Sequence, residues 1–452
     1  MKQTISARQF PQEFVWGAAT AAFQVEGYPE ADGAGPSNWL RFCRQKGVVA
    51  NDDCPDISPG QYRLYQEDVR LMRDLGIKAY RFSLSWSRIF PEGRGRVNQA
   101  GVDYYNRLID TLLANGITPW ITLFHWDLPQ ALEDLGGWRS PEIPRYLGDF
   151  ATFAGKAFGD RCRHFFTVNE IANFTKWAFS TQVEAPGIIC DRKTVNQSIY
   201  YGCLGHGYAL AALRAVRGDL QIGLAHDPRA CIPTIPTPEG IEVARKAFRL
   251  ENSEMLTLMM EGKYTPEYLA REGENAPKTT EAELRLIGGK VDFLGLNLYA
   301  PLYYVAIDET SPLGFRLTEV SKKHPLMARP ESYVDADILY YLPKFCHELW
   351  GTDIVISENG CAATDVLERN GEIQDTDRIM YLKGALSRLQ AACQDGIPVK
   401  GYFVWSLLDN FEWCSGYGYR YGLVYVNHHT LERIPKWSAS YYSECIRKNS
   451  VL

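Results

Sequence analysis

Eight times along this chain a strand-like run, apolar across nearly its whole width, gives way to a segment with helical spacing. The runs cover residues 14–22, 77–86, 117–126, 164–170, 220–227, 291–300, 353–360 and 399–408. Near-continuous β-branched and aromatic stretches, rather than strict alternation, mark parallel strands covered on both faces. Helical spacing fills the intervals. Val69, Met72 and Leu75 share one side of a helix predicted over 65–75. Leu108, Ile109, Leu112 and Leu113 do so before Gly116, and Ile379, Leu382, Leu386 and Leu389 before Gly396. Eight such units predict an α/β fold closed into one (β/α)8 barrel. An open doubly wound sheet would favour a GxGxxG turn after its first strand, and none is present. No linker, repeat or low-complexity tract interrupts the 452 residues, so a single domain over 1–452 is expected. The chain exceeds the usual ~250-residue barrel by roughly 200 residues. That excess is assigned to loops over 27–61, 171–196 and 303–335, which would wall a deep pocket.

Charge and cysteine use narrow the setting. With 48 Lys and Arg against 54 Asp and Glu the net charge is −6, which excludes the basic footprint of a nucleic-acid binder. No run approaches the ~18 apolar residues of a membrane span, and the first residues carry no apolar leader core. A cytoplasmic setting is therefore expected. The eleven cysteines are scattered without a CxxC pair and are expected to be reduced, mostly buried thiols. Aromatic residues reach 13%, with 11 Trp and 26 Tyr, more than a core alone requires.

In a barrel of this kind chemistry belongs at the C-terminal ends of the strands. Two runs carry a glutamate at that end: Thr167-Val168-Asn169-Glu170 and Ser357-Glu358-Asn359-Gly360. A charge at the end of an apolar strand is costly unless it is paired or used. Either one alone reads equally well as an ion-pair or capping carboxylate, whereas two at one mouth point to a catalytic pair. The other strand ends offer Gln24, Arg81, His125 with Trp126, Asn297 with Tyr299, and Trp405 followed by Glu412 and Trp413. Amides and carboxylates suit vicinal hydroxyls, and indoles suit the C–H face of a neutral sugar. Arg81 is the natural cation to keep Glu358 ionised, with Tyr299 a second donor to it. The charge of Glu358 would in turn hold a proton on Glu170. No HExxH or related histidine spacing suggests a metal, and the reading needs no cofactor.

Five stretches in order resemble the family 1 glycoside hydrolases, the β-glucosidase family. They are residues 14–27 (Phe-Val-Trp-Gly-Ala-Ala-Thr-Ala-Ala-Phe-Gln-Val-Glu-Gly), 80–83 (Tyr-Arg-Phe-Ser), 122–129 (Thr-Leu-Phe-His-Trp-Asp-Leu-Pro), 357–360 and 409–413 (Asp-Asn-Phe-Glu-Trp). The resemblance implies a retaining β-glucosidase acting on short glycosides, a small-molecule substrate with no nucleic-acid or membrane partner. It implies Glu358 as nucleophile and Glu170 as acid/base. Gln24, His125, Asn169, Glu412 and Trp413 are the implied sugar contacts, with Trp405 beneath the ring. Trp126 and Asn297 join the substrate-binding set from their places at strand ends. Side activity on β-galactosides and β-fucosides, and transglycosylation, are expected with it.

The chain departs from the family pattern in two places. Ile171 stands where proline usually follows the acid/base, restoring a backbone N–H. The segment 329–333 lacks the Gly-Trp of many members, which leaves Trp177, Phe174 or Tyr333 as candidate platforms for the leaving group. A 6-phospho-β-glycosidase is disfavoured, because Gly418 and Tyr419 precede Arg420-Tyr421-Gly422 and Glu412 would repel a dianion. A non-catalytic sugar binder would be expected to have lost one of the two carboxylates.

Overall fold

The computed structural model describes residues 9–321, 327–328 and 333–452. Its centre is a closed barrel of eight parallel strands, each the core of one predicted run. They are β1 (Val15–Ala19), β2 (Ala79–Ser83), β3 (Thr118–Phe124), β4 (His164–Asn169), β5 (Gln221–His226), β6 (Phe293–Asn297), β7 (Asp353–Asn359) and β8 (Val399–Trp405). Each strand pairs with its neighbours in chain order, and β8 returns to β1 to close the ring, with Ala19 opposite Trp405. The predicted helices appear as Gln61–Asp74, Gln99–Ala114 and Thr376–Gln394. The apolar runs outlast the strands because their ends, such as Trp126 and Ala300, line loops rather than continuing the ladder.

The ladder slips by one residue beside each predicted catalytic glutamate. Phe166 faces Gly223 but Asn169 faces Ala225, so β4 carries one extra residue. Ile356 faces Leu296 while Glu358 faces Asn297, and β7 is again one longer. A bulge of this kind re-aims the side chain that follows it.

The barrel lumen is filled by side chains. Trp120, Phe166, Phe293 and Phe403 enter from β3, β4, β6 and β8, while Ala19, Ala79 and Ala225 leave room between them. The Trp120 ring lies 5.4 Å from Phe293 and 5.1 Å from Phe403, and Phe166 lies 5.1 Å from Phe293. Gly223 has no Cβ because the Phe293 ring occupies that space. This alternation of large and small residues makes the lumen a plug, so any pocket must lie above it.

The three long connections contain more structure than their sequence suggests. Residues 27–61 include the helix Asn38–Cys43, and 171–196 include a π-helical turn, Asn173–Trp177. Within 303–335, Tyr303–Ile307 and Phe315–Glu319 join Cys231–Pro233 in a small three-stranded sheet. Of the 329–333 segment only Tyr333 lies within the described residues. The cysteine expectation needs correction at one pair. The chain turns back between residues 44 and 53, bringing Cys43 and Cys54 to a Cα separation of 5.7 Å and into a disulfide. The other nine cysteines are free. Among the described residues no helix is long and apolar enough to cross a membrane.

Candidate active site

A cavity of about 310 Å3 opens above the lumen plug. Gln24, His125, Trp126, Glu170, Tyr299, Glu358, Trp405, Glu412 and Trp413 all line it. Arg81, Asn169 and Asn297 are buried beside it. The guanidinium of Arg81 rests 4.7 Å above the Phe166 ring, which makes the plug the floor of the site.

The two glutamates are held by different partners. Arg81 Nη1 donates to Glu358 Oε1 at 2.5 Å, and the Tyr299 hydroxyl donates to Glu358 Oε2 at 2.8 Å. Among the described residues Glu170 receives only amide donors, Asn297 Nδ2 at 2.6 Å and Asn173 Nδ2 at 3.1 Å. Asn169 and Asn297 connect the pair, since Arg81 Nη2 and Asn297 Nδ2 both donate to Asn169 Oδ1, at 2.7 and 3.0 Å. Ser357 donates to Asn297 Oδ1 at 2.7 Å, which commits that amide to protein partners on both ends.

Burial pushes both carboxyls towards their neutral form, but their neighbours then separate them. At Glu170, burial is reinforced by the nearby charges of Asp227 and Glu358, and its carboxyl is held well above the usual range. At Glu358, burial is opposed by the Arg81 guanidinium and by hydrogen bonds from Arg81 and Tyr299. The first proton to leave the pair therefore leaves Glu358.

On the far wall the polar groups have fixed directions. Gln24 Nε2 donates to Asn410 Oδ1 at 2.9 Å and to the Phe411 carbonyl at 2.8 Å, so its Oε1 is left as a buried acceptor without a partner among the described residues. Asn169, whose Oδ1 is taken by Arg81, offers Nδ2 to His125 Nε2 at 3.2 Å. Burial, aided by Arg81, lowers the His125 pKa far enough to keep the ring neutral. With Nε2 accepting, the proton sits on Nδ1, a buried donor without a partner. Buried polar groups normally find partners, so an orphan acceptor and an orphan donor in one cavity wall describe a polyhydroxylated guest.

Stacked rings back this wall. Trp413 packs 4.4 Å from Trp126, 4.5 Å from Trp39 and 5.9 Å from Phe23. Trp126 also donates its indole N–H to the Asn169 carbonyl at 3.1 Å. Trp126, Glu170 and Trp413 have φ of 77°, 48° and 53°, left-handed values that side chains adopt only under outside constraint. Gly360 follows the strand that carries Glu358, where a Cβ would collide with the Trp405 carbonyl.

The departure at Ile171 has a packing explanation. Its side chain is fully buried and fills the space left by the missing Cβ of Gly202, on the long helix Arg192–Val216. Packing at this point takes over the support of the loop that carries Glu170. Phe174 points into the core against Phe124 and Trp138, so it is no platform. Trp177 is 41% exposed and lines a second cavity, of about 190 Å3, adjoining the first. Sequence reasoning missed Asn173 and Asp227. Asp227 follows β5 and lines both cavities, and it ends its apolar run as Glu170 ends its own. Arg420, which follows Gly418 and Tyr419, donates to Asp409 at 2.6 Å.

The family model for glycosyl hydrolase family 1 matches residues 6–451. The chain belongs to glycosyl hydrolase family 1. Within that family it is 38% identical to β-glucosidase A of Thermotoga maritima, over 99% of this chain and all of that protein. It is 39% identical to β-glucosidase A of Acetivibrio thermocellus, over 97% of this chain and 98% of that one. The family 1 β-glucosidase structure from T. maritima superimposes with a TM-score of 0.90 at 37% identity, covering 99% of this chain and 100% of that chain. The same enzyme in complex with isofagomine lactam matches with a TM-score of 0.89.

Proposed function

We propose that this glycosyl hydrolase is a retaining β-glucosidase that removes the terminal non-reducing glucosyl residue of short β-glycosides, with Glu358 as nucleophile and Glu170 as acid/base. The observation that carries the reading is the unequal treatment of two carboxyls in one cavity, one braced by a guanidinium and one by amides alone. Retaining enzymes keep such a pair ~5–5.5 Å apart, close enough for direct attack.

In the first step a Glu358 oxygen bonds to the anomeric carbon as the glycosidic C–O bond breaks. The Glu170 proton passes to the leaving oxygen. Arg81 and Tyr299 hold Glu358 ionised and aimed until it attacks. In the second step water attacks the anomeric carbon and gives its proton to Glu170. The ester bond breaks and Glu358 regains its charge. Gln24 Oε1 accepts from one sugar hydroxyl and His125 Nδ1–H donates to another, with Glu412 beside them and the Trp405 indole under the ring.

A hydroxyl that moves from equatorial to axial at C4 meets this mixed donor and acceptor wall with one bond redirected. β-Galactosides and β-fucosides therefore follow as secondary substrates, and sugar hydroxyls can replace water in the second step. Among the described residues no lysine or arginine lines the catalytic cavity, which argues against a 6-phosphorylated sugar. A panel of nitrophenyl β-glucoside, galactoside, fucoside and 6-phosphoglucoside, with cello-oligosaccharides alongside, tests the reading. Turnover of the glucoside with β-glucose as first product supports it. Preference for the 6-phosphate, or α-glucose as first product, overturns it.

A further inference from the structure

The mechanism above uses two carboxyls, and the cavity holds a third. The Glu170 backbone N–H donates to the Ala225 carbonyl at 3.0 Å, so Asp227, two residues further along, stands on the rim beside the acid/base. Asp227 Oδ1 is buried and has no hydrogen-bond partner among the described residues. The nearby cations are engaged elsewhere. Lys176 is paired with Glu254 at 2.7 Å and Arg229 with Glu251 at 3.2 Å. His226 Nδ1 lies 4.0 Å from Asp227 Oδ1, but burial lowers that imidazole to about 4, and above that pH it brings no charge.

We propose that Asp227 is a positioning residue for the second half-reaction, supplying a negative charge beside Glu170 that remains when Glu358 has been esterified. The proposal rests on the retaining β-glucosidase reading. Leaving-group departure strips Glu170 of its proton and, at the same moment, Glu358 of its charge. With only those two carboxyls present, Glu170 would become a much weaker base in the ester. Asp227 prevents this. Of its two carboxylate neighbours, Asp227 raises the Glu170 carboxyl more than Glu358 does. The Asp227 side chain is 37% exposed, but desolvation at its buried Oδ1 raises the carboxyl, with the Glu358 charge adding to it and the Lys176 charge opposing. Esterification of Glu358 removes that repulsion, so Asp227 ionises more fully in the intermediate. Glu170 then recaptures a solvent proton at mildly acidic pH, and the glycosyl-enzyme stalls there.

The test is the pH profile of Asp227→Asn on a dinitrophenyl β-glucoside, whose good leaving group makes ester hydrolysis limiting. The acid limb of kcat falls by about one pH unit, the size expected for a charge within ~4–6 Å, which gives up to about tenfold faster turnover on that limb. The alkaline limb of kcat/KM for a poorer leaving group falls in the same direction. Asp227→Glu restores both limbs, and Asp227→Ser repeats the shift if the asparagine variant does not fold. Unmoved limbs in the neutral variants, with a change in KM alone, overturn the proposal and make Asp227 a leaving-group contact. A wild-type enzyme inactive on every β-glucoside overturns the underlying reading instead.

Discussion

The two walls of the cavity are built on different principles. The glycone wall is a stack of indoles with two amides and an imidazole whose hydrogen-bond directions are set by protein partners. On the side we propose for the leaving group the wall gives onto the adjoining cavity, whose lining carries the ion pairs Lys176–Glu254 and Arg229–Glu251 and the half-exposed Trp177. A wall whose polarity is fixed in advance rejects a guest that lacks the hydroxyls to pair its buried groups, while one redirected hydroxyl is still met by a donor or an acceptor. A lining of part-buried ion pairs, already matched to each other, beside one half-exposed ring directs fewer groups at a guest and gives less discrimination among leaving groups. A few closely related terminal sugars with many aglycones is the specificity this asymmetry favours.

Four substitutions test that contrast. Glu358→Ala removes the group both walls serve and is expected to lower kcat by about 10^5-fold, the scale of nucleophile deletions. Added azide restores turnover as the α-glucosyl azide, detected by NMR, whereas a β-azide would contradict the assignment. Gln24→Leu strikes the fixed wall, and kcat/KM for aryl β-glucosides is expected to drop about 10^2-fold or more through one lost transition-state hydrogen bond. The drop should be the same for every aglycone. Gly202→Ala inserts a methyl against Ile171, and overpacking of that kind costs about 1–3 kcal/mol. Calorimetry should show a lower Tm, and kcat should fall more than KM rises as Glu170 shifts. Trp177→Ala strikes the other wall and should change KM by only about threefold, as expected for a half-exposed ring. That change should vary with the aglycone, and a uniform loss there would erase the distinction between the walls.

The same contrast explains what the sequence made legible. All eight barrel strands could be read because each is apolar on both faces, a pattern that surface elements do not share. Glu170 and Glu358 were visible as charges closing such strands. Asp227 gave the same signal but sits between His226 and Pro228, where a polar residue reads as the start of an ordinary turn. Asn173 escaped because only the π-helical turn carries its amide back to Glu170. The role of Asn297 was half legible. Its place at a strand end marked it for the site, but only the geometry gives its partners as Glu170, Asn169 and Ser357. The Cys43–Cys54 pair depends on a loop path that no periodicity encodes.

The aromatic plug under Arg81 also governs the order of traffic. A barrel stoppered at its base admits its guest from the upper end, the doorway. The aglycone sits nearest that doorway and departs first, water arrives through the space it vacated, and glucose, lodged deepest, is last to leave. Until it does, no fresh glycoside can seat itself, so glucose inhibition of this enzyme should be competitive in form.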